Sequence, residues 1–338
     1  MRIEVSAPNR IDIAGGTTDL YPLYLLMDGG FTVNVAVNVP SKVILTTNDD
    51  SVFSLCSEDL GRSFECNCLE NLPMKGPLGL LGLTLKQFPP PKGLSVTTNN
   101  TAPAGSGLGA SSALTIALIC GLLKIRGQHL SFAEIVGVAA DIETALLGVP
   151  AGKQDHIAAL YGGLSLISFG IDGYRRTGFD SADLNLDTLR DMMVLSYTGA
   201  GRFSGMNNWE ITKKFIDGNQ ETRSKLLEIK RITIDISKVI ETSNWGALGA
   251  LVNQEWIVRR SLAAGVSNPT IDSMISAASH AGAIASKVCG AGGGGCMISL
   301  APPSSRSAVE EALSNQGATI MDYDFDFMGA KIIELDEV

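Results

Sequence analysis

Residues 103–123 read PAGSGLGASSALTIALICGLL. Gly105, Gly107 and Gly109 and the serines Ser106, Ser111 and Ser112 stand directly ahead of a long apolar run. The first N–H groups of a helix have no intrahelical partner, and the helix dipole adds positive charge at that end. Glycines let the backbone close around an anion without Cβ contacts. The stretch therefore predicts a phosphate-binding loop feeding a helix buried on most faces. The bland alternative is a glycine-rich turn that packs a buried helix against a sheet. A Walker A loop would end in Gly-Lys-Ser/Thr, and here the residues are Gly109-Ala110-Ser111; the dinucleotide pattern GxGxxG fails at Ala110.

Downstream, Ser131 and Glu134 predict a capping box that opens a second helix, and Gly148 followed by Pro150 predicts its end. On that helix Glu143 falls among Ala139, Ala140, Leu146 and Leu147, the apolar face. A carboxylate there is costly unless it has an internal Arg or Lys partner or holds a cation. In GVPAGKQDHIAALYGG, Asp155 sits where a loop enters a short helix, as a helix-start acid or a functional one. His129, His156 and His280 are isolated and read as structural. Upstream, APNRIDIAGGTTDLYPLY carries Arg10 on a strand into a polar Gly-Gly-Thr-Thr-Asp turn, suited either to hydroxyl recognition or to a plain β-turn.

The rest of the chain frames these clusters. Near-alternating β-branched runs predict strands at MRIEVSAP, FTVNVAVNVPSKVILTTN, SVFSLC, PKGLSVTTNNTAP and GGLSLISF. After about residue 185, MMVLSYTG reads as a strand. Residues 206–262 and TIDSMISAASHAGA read as helix, KVCGAGGGGCMISLAPP as strand, glycine loop and strand, SSRSAVEEALSNQG as helix and KIIELDEV as strand. The 338 residues are 45% hydrophobic and 18% charged, enough for one large or two intimate cores. A net charge of −9 argues against nucleic acid and anionic membranes as partners, while leaving room for an anionic small molecule. The six cysteines contain one C-x-C, Cys66 and Cys68, a weak metal signal better read as reduced thiols. Without an apolar leader or an 18-residue apolar run, the expected location is cytoplasmic.

Taken in order, APNRIDIAGGTTD, PAGSGLGASSA and KVCGAGGGGCMISL resemble the three motifs of the GHMP kinases, the galactokinase, homoserine kinase, mevalonate kinase and phosphomevalonate kinase family. The resemblance implies an α+β two-domain chain. An N-terminal α/β domain like a ribosomal S5 domain, 1–185, would precede a ferredoxin-like domain, 186–338, with the active site between them. It implies ATP and Mg²⁺ as cofactors, with phosphates bound by Pro103, Gly105, Ser106, Gly107, Leu108, Gly109, Ala110, Ser111 and Ser112. The metal would be held by Ser111 (or its neighbour Ser112) and Glu143, and Asp155 and Arg10 would be catalytic. Thr17, Thr18, Asp19, Gly292, Gly293 and Gly294 would meet the substrate. The galactose-directed Glu-His pair of galactokinases is replaced by Gly16 and Thr17. GGTTDLYPLY, GKQDHIAALYGGL and YTGAGR are instead similar to heptose 7-phosphate kinases and fucokinase-like enzymes, although Thr17 stands where those tend to carry glycine. The implied reaction is phosphoryl transfer from ATP to a small-molecule sugar or sugar phosphate, at its anomeric hydroxyl. Arg202 is the first candidate for a distal phosphate, with Arg175, Arg176, Arg259 and Arg260 as fallbacks. A homodimer is compatible with this reading; the competing functions are a kinase for an unphosphorylated sugar or other alcohol, and a non-catalytic ATP- and sugar-binding regulator.

Overall fold

The computed structural model describes residues 1–179, 184–199 and 205–336. In chain order the first half forms β1 (Arg2–Ala14), α1 (Leu23–Leu26), β2 (Gly30–Asn48), β3 (Phe53–Ser57), β4 (Arg62–Cys66), α2 (Gly79–Gln87), β5 (Gly93–Asn100), α3 (Ala110–Arg126), α4 (Phe132–Leu147), α5 (Gln154–Tyr161), β6 (Leu164–Gly170) and β7 (Gly173–Gly178). The second half adds α6 (Leu186–Met192), β8 (Met193–Tyr197), α7 (Gly205–Ile216), α8 (Gln220–Glu241), α9 (Trp245–Arg260), α10 (Pro269–His280), β9 (Ala285–Val288), β10 (Cys296–Leu300), α11 (Arg306–Asn315), β11 (Thr319–Met321) and β12 (Lys331–Leu335).

Alternation of apolar and polar residues makes β1 and β2 long strands, and they pair antiparallel along most of their length. The first sheet runs β12-β1-β2-β5-β3-β4, and β6 joins β2 to β7. β5 takes the Ser41–Asn48 end of β2 and β6 takes the Gly30–Val35 end. A register shift between Pro8 and Asn9 separates the two stretches of β1. Beyond it every residue from Asn9 to Ala14 is buried, on both faces of the strand. That stretch carries Arg10 and Asp12 into the interior.

The second sheet is antiparallel in the order β11-β8-β10-β9. Read along the chain it is strand, helices, two strands, helix, strand, which is the ferredoxin-like arrangement. α3 is apolar all round, as its sequence demands, and lies between the first sheet and α2, α4 and α5. One hydrophobic cluster joins Ile11, Ile13, Val33 and Val35 of the first sheet to Leu195, Ile298 and the α8 residues Ile232 and Ile236. The two halves thus share a core. β12, from the far end of the chain, returns to pair with the first half of β1, so the sheet of the first half includes residues beyond the boundary near 185. Pairing covers an edge that β1 would otherwise leave open. No helix among the described residues is long and apolar enough to cross a membrane.

Candidate active site

The centre of the site is an ion pair between β1 and α5. Arg10 is 3% exposed. Its Nε and Nη2 donate to the same oxygen of Asp155, Oδ1, at 2.8 and 2.6 Å, and Nη1 donates to the carbonyl of Gly107. Asp155 stands in the first turn of α5, where the helix dipole favours an acid. Because both donors fall on Oδ1, Oδ2 is left for another partner. Gly109 borders it: a Cβ there would come within 3.0 Å of Oδ2. Burial pushes the Asp155 carboxyl up, Arg10 draws it down and Glu143 pushes it up again, leaving it above the usual range. Burial also works against the charge on Arg10, but Asp155 and then Asp12 outweigh it and hold the guanidinium above its ordinary value. A fixed carboxylate with raised proton affinity is suited to take a proton from a hydroxyl.

The loop before α3 presents an open helix N-terminus. Its cap, Gly109, has φ 81°, no side chain caps the first turn, and no acid stands in that turn. Orphan N–H groups there are available to an anion. The glycines also answer to the protein itself. A Cβ on Gly107 would lie 2.6 Å from the carbonyl oxygen of Cys289, and one on Gly290 would lie 3.0 Å from the carbonyl of Gly107. The N–H of Cys296 donates to the Ser106 carbonyl at 2.6 Å. The phosphate-type loop and the third glycine loop are therefore packed backbone to backbone, and both reach the same cavity.

Glu143, in the last turn of α4, is 8% exposed. Among the described residues it has neither an Arg nor a Lys partner in contact. Its Oε2 accepts from the Ser112 hydroxyl at 2.8 Å and lies 3.1 Å from Nε2 of His156, which is fully buried. Burial pushes the Glu143 carboxyl up, but His156 and the hydroxyls of Ser112 and Ser111 outweigh it and hold it below the usual range. Ser112 is buried with its hydroxyl spent on Glu143, whereas Ser111 is exposed. One carboxylate and a hydroxyl beside a phosphate-type loop form a hard-oxygen donor set. It fits Mg²⁺, which takes few protein ligands and completes its shell with phosphates and water.

These features line one cavity of about 210 Å³. Arg10, Thr17, Asp19, Gly105, Ser106, Gly107, Gly109, Ala110, Ser111, Ser112, Glu143 and Asp155 all face it. Asp19 is 2% exposed, and its Oδ2 accepts from the N–H of Gln154 at 3.1 Å. Burial, and then the charge of Asp155, push Asp19 up to about 6. Other predicted residues stand back from the cavity. Thr18 is fully buried and its hydroxyl is bonded to Gly15 and Phe31 backbone, so it shapes the turn. Leu108 is core, with its carbonyl on the N–H of Arg10. Pro103 accepts the turn N–H of Ser106. Gly292 and Gly293 pack on Val266, and the third loop meets the cavity through Gly290 and Ala291 instead. Gly294 is likewise buried outside the lining. Arg202 lies outside the described residues. Of the fallback arginines, Arg259 is 2% exposed and paired with Glu255, which removes it from a role on a free phosphate. Arg176 is bonded to the Gly162 carbonyl and stacked on Tyr161.

Sequence reasoning missed Gln154, Gly152 and Asn208 in the lining. Gln154 and Gly152 stand within three residues of Asp155 and could have been read from that loop; Asn208 is brought in from α7 by tertiary packing alone. It also missed a buried group of four charges, Asp12, Glu255, Arg259 and Lys287, beneath the first motif.

The GHMP kinase N-terminal domain model matches residues 71–163, and the GHMP kinase C-terminal model matches residues 236–319. A mevalonate kinase of Pyrococcus abyssi is 30% identical over 261 residues, 75% of this chain and 73% of the relative. The chain belongs to the GHMP kinase family. It is thus an enzyme, a kinase. A D-glycero-alpha-D-manno-heptose 7-phosphate kinase of Campylobacter jejuni is 26% identical over 340 residues, 97% of this GHMP kinase and 98% of the relative. Among solved structures, a D-glycero-D-manno-heptose 1-phosphate kinase from Bacteroides thetaiotaomicron matches with a TM-score of 0.80 and 23% identity, covering 99% of this chain and 100% of that one. At that identity the likeness supports the fold, and this GHMP kinase has it end to end.

Proposed function

We propose that this GHMP kinase is a cytoplasmic, ATP-dependent sugar kinase that phosphorylates the anomeric hydroxyl of a heptose 7-phosphate. The observation that carries the reading is the meeting of Arg10, Asp155, Glu143 and the open N-terminus of α3 around one cavity. The full-length likeness to a heptose 7-phosphate kinase supports the acceptor. The backbone N–H groups at 109–112 hold the triphosphate. Glu143 and Ser111 are the proposed Mg²⁺ ligands, with Ser112 and His156 orienting the carboxylate. Bound Mg²⁺ supplies charge neutralisation on the phosphates. Asp155 Oδ2 takes the proton as the sugar oxygen attacks the γ-phosphorus and the bond to the ADP oxygen breaks. Arg10 keeps Asp155 oriented, Asp19 accepts from a sugar hydroxyl, and Arg202 meets the distal phosphate.

A second reading, a mevalonate-type alcohol as acceptor, is favoured by the mevalonate kinase relatives. A coupled ADP-release assay with heptose 7-phosphate, free heptose, fucose and mevalonate decides between them. Preference for heptose 7-phosphate with loss of reducing-sugar reactivity is expected; preference for mevalonate, or a product that still reduces, overturns the proposal. Glu143→Gln tests the metal site: Mg²⁺-dependent stabilisation by a non-hydrolysable ATP analogue should weaken about 10-fold or more, and an unchanged response would remove Glu143 from it.

A further inference from the structure

Thr17 has φ 73°, a left-handed conformation that is strained for a β-branched residue and costs glycine nothing. It is 6% exposed and lines the cavity. A conformation of this kind persists only where its surroundings over-determine it, and here they do. Nη2 of Arg259 donates to the carbonyl of Gly16 at 2.7 Å, and Nη1 donates to the Thr17 hydroxyl at 3.4 Å. Arg259 is itself fixed by Glu255, whose Oε1 accepts from its Nε at 2.7 Å and from the N–H of Gly15 at 3.3 Å. The other Glu255 oxygen lies 3.1 Å from Nζ of Lys287, which donates to the Ile13 carbonyl at 3.1 Å. Glu255 and Lys287 are fully buried. The C-terminal half thereby grips residues 13–17 by three carbonyl or amide contacts and one hydroxyl contact.

The direction of these hydrogen bonds has a consequence at the cavity. A guanidinium only donates. The Thr17 hydroxyl accepts from Arg259, so its own proton is directed to its other partner, Oδ1 of Asn208, 3.2 Å away. That contact fixes the orientation of an amide that could otherwise rotate by half a turn. With Oδ1 engaged, what Asn208 offers the cavity is its NH₂ group.

We propose that Asn208 is a specificity-determining residue for the acceptor, presenting N–H donors to an acceptor oxygen, and that Thr17 is the positioning residue that fixes the amide. The proposal rests on the reading of the cavity as a kinase site, whichever acceptor it takes. The acceptor must carry a lone-pair oxygen there, a hydroxyl, phosphate or carboxylate oxygen. A deoxy analogue at that position loses binding, because the half-buried Asn208 donor is enclosed by the acceptor and left without a partner.

The test compares Thr17→Val, Thr17→Ser and Asn208→Asp with the parent, using the best acceptor of a panel of sugar phosphates, free sugars and mevalonate. Thr17→Val keeps shape and loses the hydroxyl. It should raise the acceptor KM about 10-fold, with kcat and the KM for ATP changed less than threefold, and Thr17→Ser should restore parental values. Asn208→Asp, which has no donor, should raise the acceptor KM about 10- to 100-fold. The double variant should be no worse than Asn208→Asp alone, since Thr17 acts through Asn208. Additive losses, or a Thr17→Val enzyme identical to the parent, overturn the proposal. An acceptor-independent readout separates this from failure of the kinase reading. In ¹⁵N spectra, the Asn208 side-chain amide, assigned by its loss in Asn208→Asp, should be one sharp pair in the parent and broadened or doubled in Thr17→Val. An amide unaltered by Thr17→Val overturns the positioning role even if no acceptor in the panel is used.

Discussion

Asp155 shows how little of a residue's role lies in its type. As a letter it is a helix-start acid; buried against Arg10 and within the field of Glu143, it becomes a carboxylate of raised proton affinity whose Oδ2 has no hydrogen-bond partner among the described residues. Asp155→Asn should preserve the fold and nucleotide binding and lower kcat by about 10² or more, the scale of a positioned base; steady-state kinetics on the purified variant checks this. Asp19 makes a pH prediction. Its folded value of about 6 stands above the ordinary 3.8, because burial and the charge of Asp155 disfavour the anion. A raised carboxyl value favours the folded state below the unfolded value, and that advantage is lost as pH rises to the folded value. Ionised Asp19 therefore costs the folded protein up to about 3 kcal/mol above pH 6. Asp19→Asn should raise stability by an amount that grows between pH 4 and 6 and stays flat to pH 8, while activity falls. Chemical denaturation of both proteins across that range measures it, and a gain independent of pH would contradict the assignment.

At the scale of elements, the loop before α3 behaves as half of a pair. Gly107, at φ 72°, faces the Cys289 carbonyl at a distance no side chain tolerates. Gly107→Ala should destabilise the protein by about 1–3 kcal/mol and weaken nucleotide binding through the displaced loop, even though the new methyl points at protein and not at phosphate. A variant with parental melting temperature and parental ATP-analogue affinity by calorimetry would refute the packing of the two loops. The caps were legible in advance: Ser131 and Glu134 form the capping box and Gly148 ends the helix in a left-handed turn. So were α3, α5, β6 and the helix-rich stretch from 205 to 260. β4, α2, β7, α6 and β11 were not. They are short, half-exposed or mixed in period, and tertiary contacts decide their state.

At the scale of the whole molecule, the two halves are tied by buried charge as well as by apolar packing. Lys287, on β9, lies 3.8 Å from Asp12 and, among the described residues, shares Glu255 with Arg259. Lys287→Met should lower the free energy of unfolding by about 3–5 kcal/mol, because it leaves a buried carboxylate without compensation. A urea midpoint within error of the parent's would show that the group is worth no more than surface pairing.

Residue chemistry alone made legible the glycine loop with its buried helix and the acid Glu143 on an apolar helix face; the two-part α+β organisation and the choice of Arg10, Asp19 and Asp155 came only through the resemblance of three motifs to the GHMP kinases. Local physics is enough for the loop, its helix and Glu143: periodicity, helix-end chemistry and the cost of an acid on an apolar face act over a few residues. Only the tertiary structure decided that His156 and Ser112 answer Glu143, that Thr18 serves the turn and not the cavity, that Arg259 is buried, and that Asn208 reaches the site from α7. Apart from short-range bonds such as Thr18 to Gly15, these contacts join residues from 13 to 243 positions apart, and no local pattern encodes which distant partner will neutralise a buried charge or satisfy a buried hydroxyl. The return of β12 to β1 is of the same kind. KIIELDEV is visibly a strand, but the edge it covers exists only once the first sheet has formed.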